Sequence, residues 1–141
     1  NMVCVQFLIR CLTVLVLTLY NVTVLAVEVV GIISPRNAAD VLSGAHQFLT
    51  SNPSHSILLR TTDQFTGLSD ADRKTLLEKA DIVFLGGVIG DSVSLFNAYL
   101  SADSGVDIKS FVAVHSDRRL VNASRILKKP MLSNADVDAV T

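Results

Sequence analysis

Apolar and polar positions divide the chain near residue 27. Positions 2–26 (MVCVQFLIRCLTVLVLTLYNVTVLA) are almost continuously apolar, 19 residues of 25, and Arg10 is the only charge before Glu28. Beyond that point short apolar runs alternate with amphipathic stretches. The β-branched run 27–33 (VEVVGII), bounded by Ser34-Pro35-Arg36-Asn37, predicts a buried strand. Residues 38–51 set Val41, Leu42, Ala45, Phe48 and Leu49 on one helical face, with Asn37 as N-cap and Asn52-Pro53 as stop. A second, shorter strand is expected at 55–61. A polar stretch containing Gly67 then leads to Ser69-Asp70-Ala71-Asp72, a helix start with acids at the positive end of the dipole and Leu76, Leu77 and Ala80 as its apolar face. Residues 81–86 (DIVFLG) predict a third strand, Gly87-Val88-Ile89-Gly90 a turn, 91–102 a third helix and 108–115 (IKSFVAVH) a fourth strand. Ser116-Asp117-Arg118-Arg119 turns into a helical stretch over 120–127, which Lys128-Lys129-Pro130 breaks, and Ser133 caps a further helix.

Strands alternating with helices at this spacing imply β-α-β units. With right-handed crossovers the expected fold is α/β: a Rossmann-like or flavodoxin-like three-layer arrangement around a parallel sheet of about four strands, occupying 27–141 as one domain. The tail ends without a finishing element and reads as truncated.

Composition sharpens this picture in two places. Mean hydropathy is +0.47 and half the residues are apolar, but the excess lies in positions 2–26; the remainder has an ordinary globular composition. The leader has the outline of a secretory signal peptide, with Val24-Leu25-Ala26 as the cleavage context. An uncleaved anchor and a buried core element are the rival readings, because the densest run is at the lower limit for spanning a bilayer. The expected location is therefore periplasmic, either exported or anchored facing the periplasm. Cys4 and Cys11 both fall in the leader, so residues 27–141 hold no thiolate nucleophile and no cysteine ligand. A net charge of -1 and a pI near 6.3 give no electrostatic case for nucleic acid.

In an open parallel sheet, ligands bind beyond the carboxyl ends of the strands, and three loops qualify. Ser34 and Arg36 at the entry to the first helix offer a hydroxyl and a guanidinium to an anion, or form a plain capped turn. Gly86, Gly87 and Gly90 allow close backbone approach, or only shape the turn; their G-G-x-x-G spacing is neither the dinucleotide fingerprint nor the phosphate loop. His115, Ser116, Arg118 and Arg119 cluster an imidazole, a hydroxyl and two guanidiniums, suited to carboxylates or to a subunit contact, or to capping with solvated arginines. His115-Ser116-Asp117 in a row is not a catalytic triad, whose members meet from separate segments. His46, His55 and His115 have no metal-ligand spacing, and no catalytic or metal-binding set is expected in this segment.

The strings ADIVFLGGVIGD and FVAVHSDRRLVNASRI, with the strand at 27–33, resemble the start of the large chelatase subunit of the CobN and magnesium-chelatase H type. The likeness runs over about residues 27–132. It implies a Rossmann-like N-terminal region of a much longer protein that binds a tetrapyrrole and, with ATPase partner subunits, inserts cobalt or magnesium. The leader points to an exported, haem-handling branch, in which the metal is inserted or removed and haem-uptake components are partners. The tetrapyrrole and divalent metal belong to the full-length family, no cofactor is assigned to the segment, and no catalytic residue is carried over. The alternative is the first lobe of a periplasmic solute-binding protein, with ligand at Ser34 and the glycine turn.

Overall fold

The computed structural model describes residues 25–130. Apart from Leu25 and Ala26, the leader lies outside the described residues, and so does the helix expected from Ser133. The described chain is mixed α/β, with a six-stranded, mostly parallel sheet and helices. Its elements are β1 (Glu28–Ile33), α1 (Ala38–Ser51), β2 (Ser56–Thr61), α2 (Thr62–Thr66), α3 (Asp70–Lys79), β3 (Ile82–Gly86), α4 (Ser92–Leu100), β4 (Phe111–Val114), α5 (Arg118–Asn122), β5 (Arg125–Ile126) and β6 (Lys129–Pro130). The strand order is β2-β1-β3-β4-β5-β6; the first four pair in parallel, β5 pairs antiparallel with β4, and β6 pairs antiparallel with β5.

The four parallel strands are those the apolar runs predict; β5 and β6 are additional. Residues 120–127 were expected to be helical, but α5 ends at Asn122 and the chain turns back as a hairpin. Leu127 and Lys128 both have positive φ (47° and 66°), the geometry of a two-residue hairpin turn that usually recruits Asn-Gly. External bonds hold it here: Leu127 N–H donates to Ser110 Oγ at 3.0 Å, and Lys128 Nζ pairs with Asp107 at 2.7 Å. The polar stretch after β2 also contains a helix, α2. Thr61 and Gln64 cap it reciprocally, Gln64 N–H on Thr61 Oγ1 (3.2 Å) and Thr61 N–H on Gln64 Oε1 (3.0 Å).

Pleat alternation assigns the two faces. Val30 and Ile32 of β1 register with Val83 and Leu85 of β3, and those with Phe111 and Ala113 of β4. All six are buried and meet Phe65 of α2, Leu77 of α3, Val93, Phe96 and Tyr99 of α4, and Leu120 and Val121 of α5 in one core. The opposite face carries Val29 and Gly31 of β1, Ile57 and Leu59 of β2, and Phe84 of β3. There α1 lies over it and leaves a groove of about 330 Å³, lined also by Val41, Gly44, Ala45 and Phe48. No residue of α1 is buried; Leu42 is 61% and Phe48 46% exposed.

Asp81 fastens the amino-terminal end of the sheet. It accepts the Glu28 amide at 2.9 Å, returns its own amide to Glu28 O at 2.8 Å, and pairs with Lys109 at 3.3 Å. The Glu28 amide, and then Lys109, hold its carboxyl below the ordinary value of 3.8. Such a group stabilises the fold above its unfolded pKa, and that contribution is lost as pH falls through the lower folded value. Asp81→Asn is thus expected to lower the urea midpoint at pH 7 and to narrow the gap between pH 7 and pH 3. Urea titrations at both pH values check this; an unchanged gap argues against it.

Candidate functional site

β1 sends its crossover to β2 on one side, whereas β3 sends its crossover to β4 on the other. The connections therefore part at the carboxyl ends of β1 and β3, the place where open α/β sheets form a crevice. Two of the three loops singled out by sequence meet there. Ser34 N–H donates to Gly86 O at 2.9 Å. Gly87 has φ +69°, and a Cβ on it would lie 2.8 Å from Asn37 Nδ2 and 3.2 Å from Ser34 Cβ. Glycine is needed on both counts, for the left-handed backbone and for the close approach of the first loop. Asn37 does not cap α1 with its side chain as expected. Pro35–Asn37 form a 3-10 turn, closed by Asn37 N–H on Ser34 O (2.9 Å), that delivers the chain into the helix. Arg36 is exposed on that turn, and on the second loop Ile89 is 70% exposed beside Gly90 (φ +73°).

The third loop braces the second from the β4 side. Gly87 N–H donates to Val114 O (3.1 Å), and Asp117 N–H to Val88 O (2.8 Å). Ser116 is 6% exposed; its hydroxyl donates to Val114 O and accepts the Val88 amide, both at 3.0 Å. His115, Ser116 and Asp117 consequently perform three different tasks. His115 takes a left-handed backbone (φ 48°) and is exposed. Ser116 ties two loops together. Asp117 caps α5, accepting Arg119 N–H at 2.9 Å, Arg119 Nε at 2.9 Å and Arg119 Nη2 at 3.2 Å. The Arg119 guanidinium, then its amide, lower the Asp117 carboxyl, and the same pairing raises Arg119. Arg119 is therefore held on its own turn. Arg118 is exposed beside it.

The structure thus gathers Ser34, Gly86 and Gly87 on one side of a single loop system and Ser116 on the other, with Arg36 and Ile89 exposed around it. Two apolar grooves among the described residues include none of the nine residues singled out by sequence. One is the 330 Å³ groove beneath α1. The other, about 170 Å³, is lined by Ile33, Ala38, Leu42, Leu59, Arg60, Thr61 and Gln64. Asn37 as the contact of Gly87, and Val88 as the residue whose amide Ser116 holds, come only with the tertiary structure. Both depend on contacts between loops with no local signal. Among the described residues no group of three or more His, Cys, Asp or Glu lies together, and no helix is long and apolar enough to cross a membrane. The hydroxyl and the carboxylate of the third loop both serve as structural acceptors. No protein-family model matches the chain, and no curated protein matches it.

Proposed function

We propose that this chain is the exported, Rossmann-like N-terminal module of a large chelatase subunit of the CobN and magnesium-chelatase type, and that its strand-end crevice helps to enclose a tetrapyrrole. Its partners are then the remainder of the large subunit, with ATPase chelatase subunits or haem-uptake components, and metal insertion or removal takes place on the full-length protein. One observation carries the reading: the β1 and β3 loops meet where the connections diverge, with Arg36 exposed on one loop and Ile89 on the other. A tetrapyrrole presents a flat apolar body and anionic carboxylates at its rim. An exposed apolar side chain on one loop and a guanidinium on the other offer complementary chemistry. The strand order β2-β1-β3-β4, shared with doubly wound folds, and the strings ADIVFLGGVIGD and FVAVHSDRRLVNASRI support the same reading.

Titration of the full chain with protoporphyrin IX in non-ionic detergent, followed by the Soret band against a detergent blank, is the test. Saturable binding is expected. Arg36→Ala should weaken it about tenfold or more, the loss of one charge-assisted hydrogen bond. Arg119→Ala should weaken it less, since Asp117 already engages that guanidinium. No saturable binding, or equal effects of the two substitutions, would remove the crevice from the reading.

A further inference from the structure

Among the described residues the two edges of the sheet are finished differently. The described part of β6 is Lys129–Pro130, where a charge and a missing N–H both discourage further pairing. β2 is a six-residue edge strand with no proline, and Arg60 is its only charge. Its outward hydrogen-bonding groups can be assigned. Ser56 N–H donates to Val27 O, toward β1 (3.0 Å), and the direction alternates along a strand. The amides of Ser56, Leu58 and Arg60 therefore face β1, and those of Ile57, Leu59 and Thr61 face away. Gln64 Oε1 takes the Thr61 amide. Ile57 and Leu59 remain as the outward pair.

Apolar surface collects around this edge. Leu58 is 38% exposed on β2 itself. On α1, exposed Leu42 lines the 170 Å³ groove together with Leu59 and Thr61 of β2, and exposed Phe48 stacks on His55, just before β2, with ring centroids 5.9 Å apart.

We infer that the β2 edge pairs with the β2 edge of a second copy of this chain, antiparallel about a two-fold axis through Leu58. A two-fold axis makes identical strands antiparallel. With Leu58 on the axis, Ile57 faces the second copy's Leu59 and Leu59 faces the second copy's Ile57. Those are the residues whose N–H and C=O point outward, so four inter-chain hydrogen bonds form. Leu58 meets its own mate as a non-hydrogen-bonded pair, with Cα atoms about 4.5 Å apart, the closer type of cross-strand contact. The charges agree with this register: Arg60 falls opposite the second copy's Ser56, and the two arginines are about 13 Å apart along the strand. A register centred on Ile57 or Leu59 would set an outward residue opposite His55 or Thr61, whose amides already donate to Asn52 O and Gln64 Oε1, and so would form fewer inter-chain bonds. One strand edge and three apolar side chains fall short of the roughly 800 Å² per partner of a standard stable interface, so the dimer is weak, with a dissociation constant on the order of 10–100 μM.

The test uses the full chain in non-ionic detergent with Cys4 and Cys11 replaced by serine. Sedimentation should show reversible dimerisation over that concentration range. Leu58→Lys and Leu58→Glu, each verified as folded by circular dichroism, should each weaken it at least tenfold. Mixing the two should restore association, because position 58 faces position 58. Leu58→Cys should oxidise to a 58–58 disulfide, identified by mass spectrometry, whereas Ile126→Cys near the other edge should not cross-link. A chain monomeric at 500 μM, an association indifferent to Leu58→Lys, or one abolished only by replacing residues 2–24 would each overturn the inference.

Discussion

Phe65→Ala is expected to destabilise the domain by about 3–5 kcal/mol, the range for removing a fully buried aromatic ring. Phe65 is 0% exposed, stacks on Phe96 with centroids 5.1 Å apart, and meets the edge of Tyr99 at 6.4 Å. It thereby joins α2 to α4 across the sheet's packed face. Against a total stability of roughly 5–15 kcal/mol, such a loss leaves the fold marginal. The damage should extend to Tyr99, whose hydroxyl donates to Asp70 at 2.7 Å; that bond is the first cause of the lowered Asp70 carboxyl. Urea unfolding followed by circular dichroism measures the loss, with Phe65→Leu as the milder comparison. A change below about 1 kcal/mol would show that α2 stands outside the cooperative core.

Ser116→Ala is expected to cost about 1–3 kcal/mol, because it strands a buried donor. The Val88 amide gives its hydrogen bond to Ser116 Oγ, and Val88 is 1% exposed, which leaves water little access to replace the hydroxyl. Two further bonds, Gly87 to Val114 and Asp117 to Val88, keep the loops near one another, so the glycine loop should loosen rather than unfold. Hydrogen exchange at the Val88 amide should accelerate in step with the fall in urea midpoint, and Ser116→Thr should recover most of both. Unchanged exchange with a loss under about 0.5 kcal/mol would refute the bracing role. The porphyrin titration adds a second readout: if the glycine loop is one wall of the crevice, affinity falls with Ser116→Ala although that hydroxyl points away from solvent.

The parallel strands were legible because each is an apolar, β-branched run between polar turns, and α1 and α3 because their helical spacing and start signals are local. The Ser69 cap of α3 is an example: its hydroxyl accepts the Asp72 amide at 3.1 Å. The Thr61-x-x-Gln64 capping box was equally local and marked α2 without being read. Phe65 was missed with it, since a five-residue helix shows too few turns to reveal an apolar face. The β5–β6 hairpin was illegible for a different reason. Its turn uses Leu127 and Lys128, residues that do not favour positive φ, and bonds to Ser110 and Lys109 impose it.

By itself the sequence determined an apolar N-terminal stretch followed by a cysteine-free α/β body, and the loops at the strand ends. Those follow from composition and from periods of two and 3.6 residues, which are properties of neighbours along the chain. Only the tertiary structure decided which loops meet. Ser34 and Asn37 reach Gly87 because β1 and β3 are adjacent in space. Ser116 became a brace between two loops because the Val88 amide lies buried behind it. The exposed β2 edge also appears only once the strand order is known, since a strand's place in a sheet is set by its partners and not by its own residues.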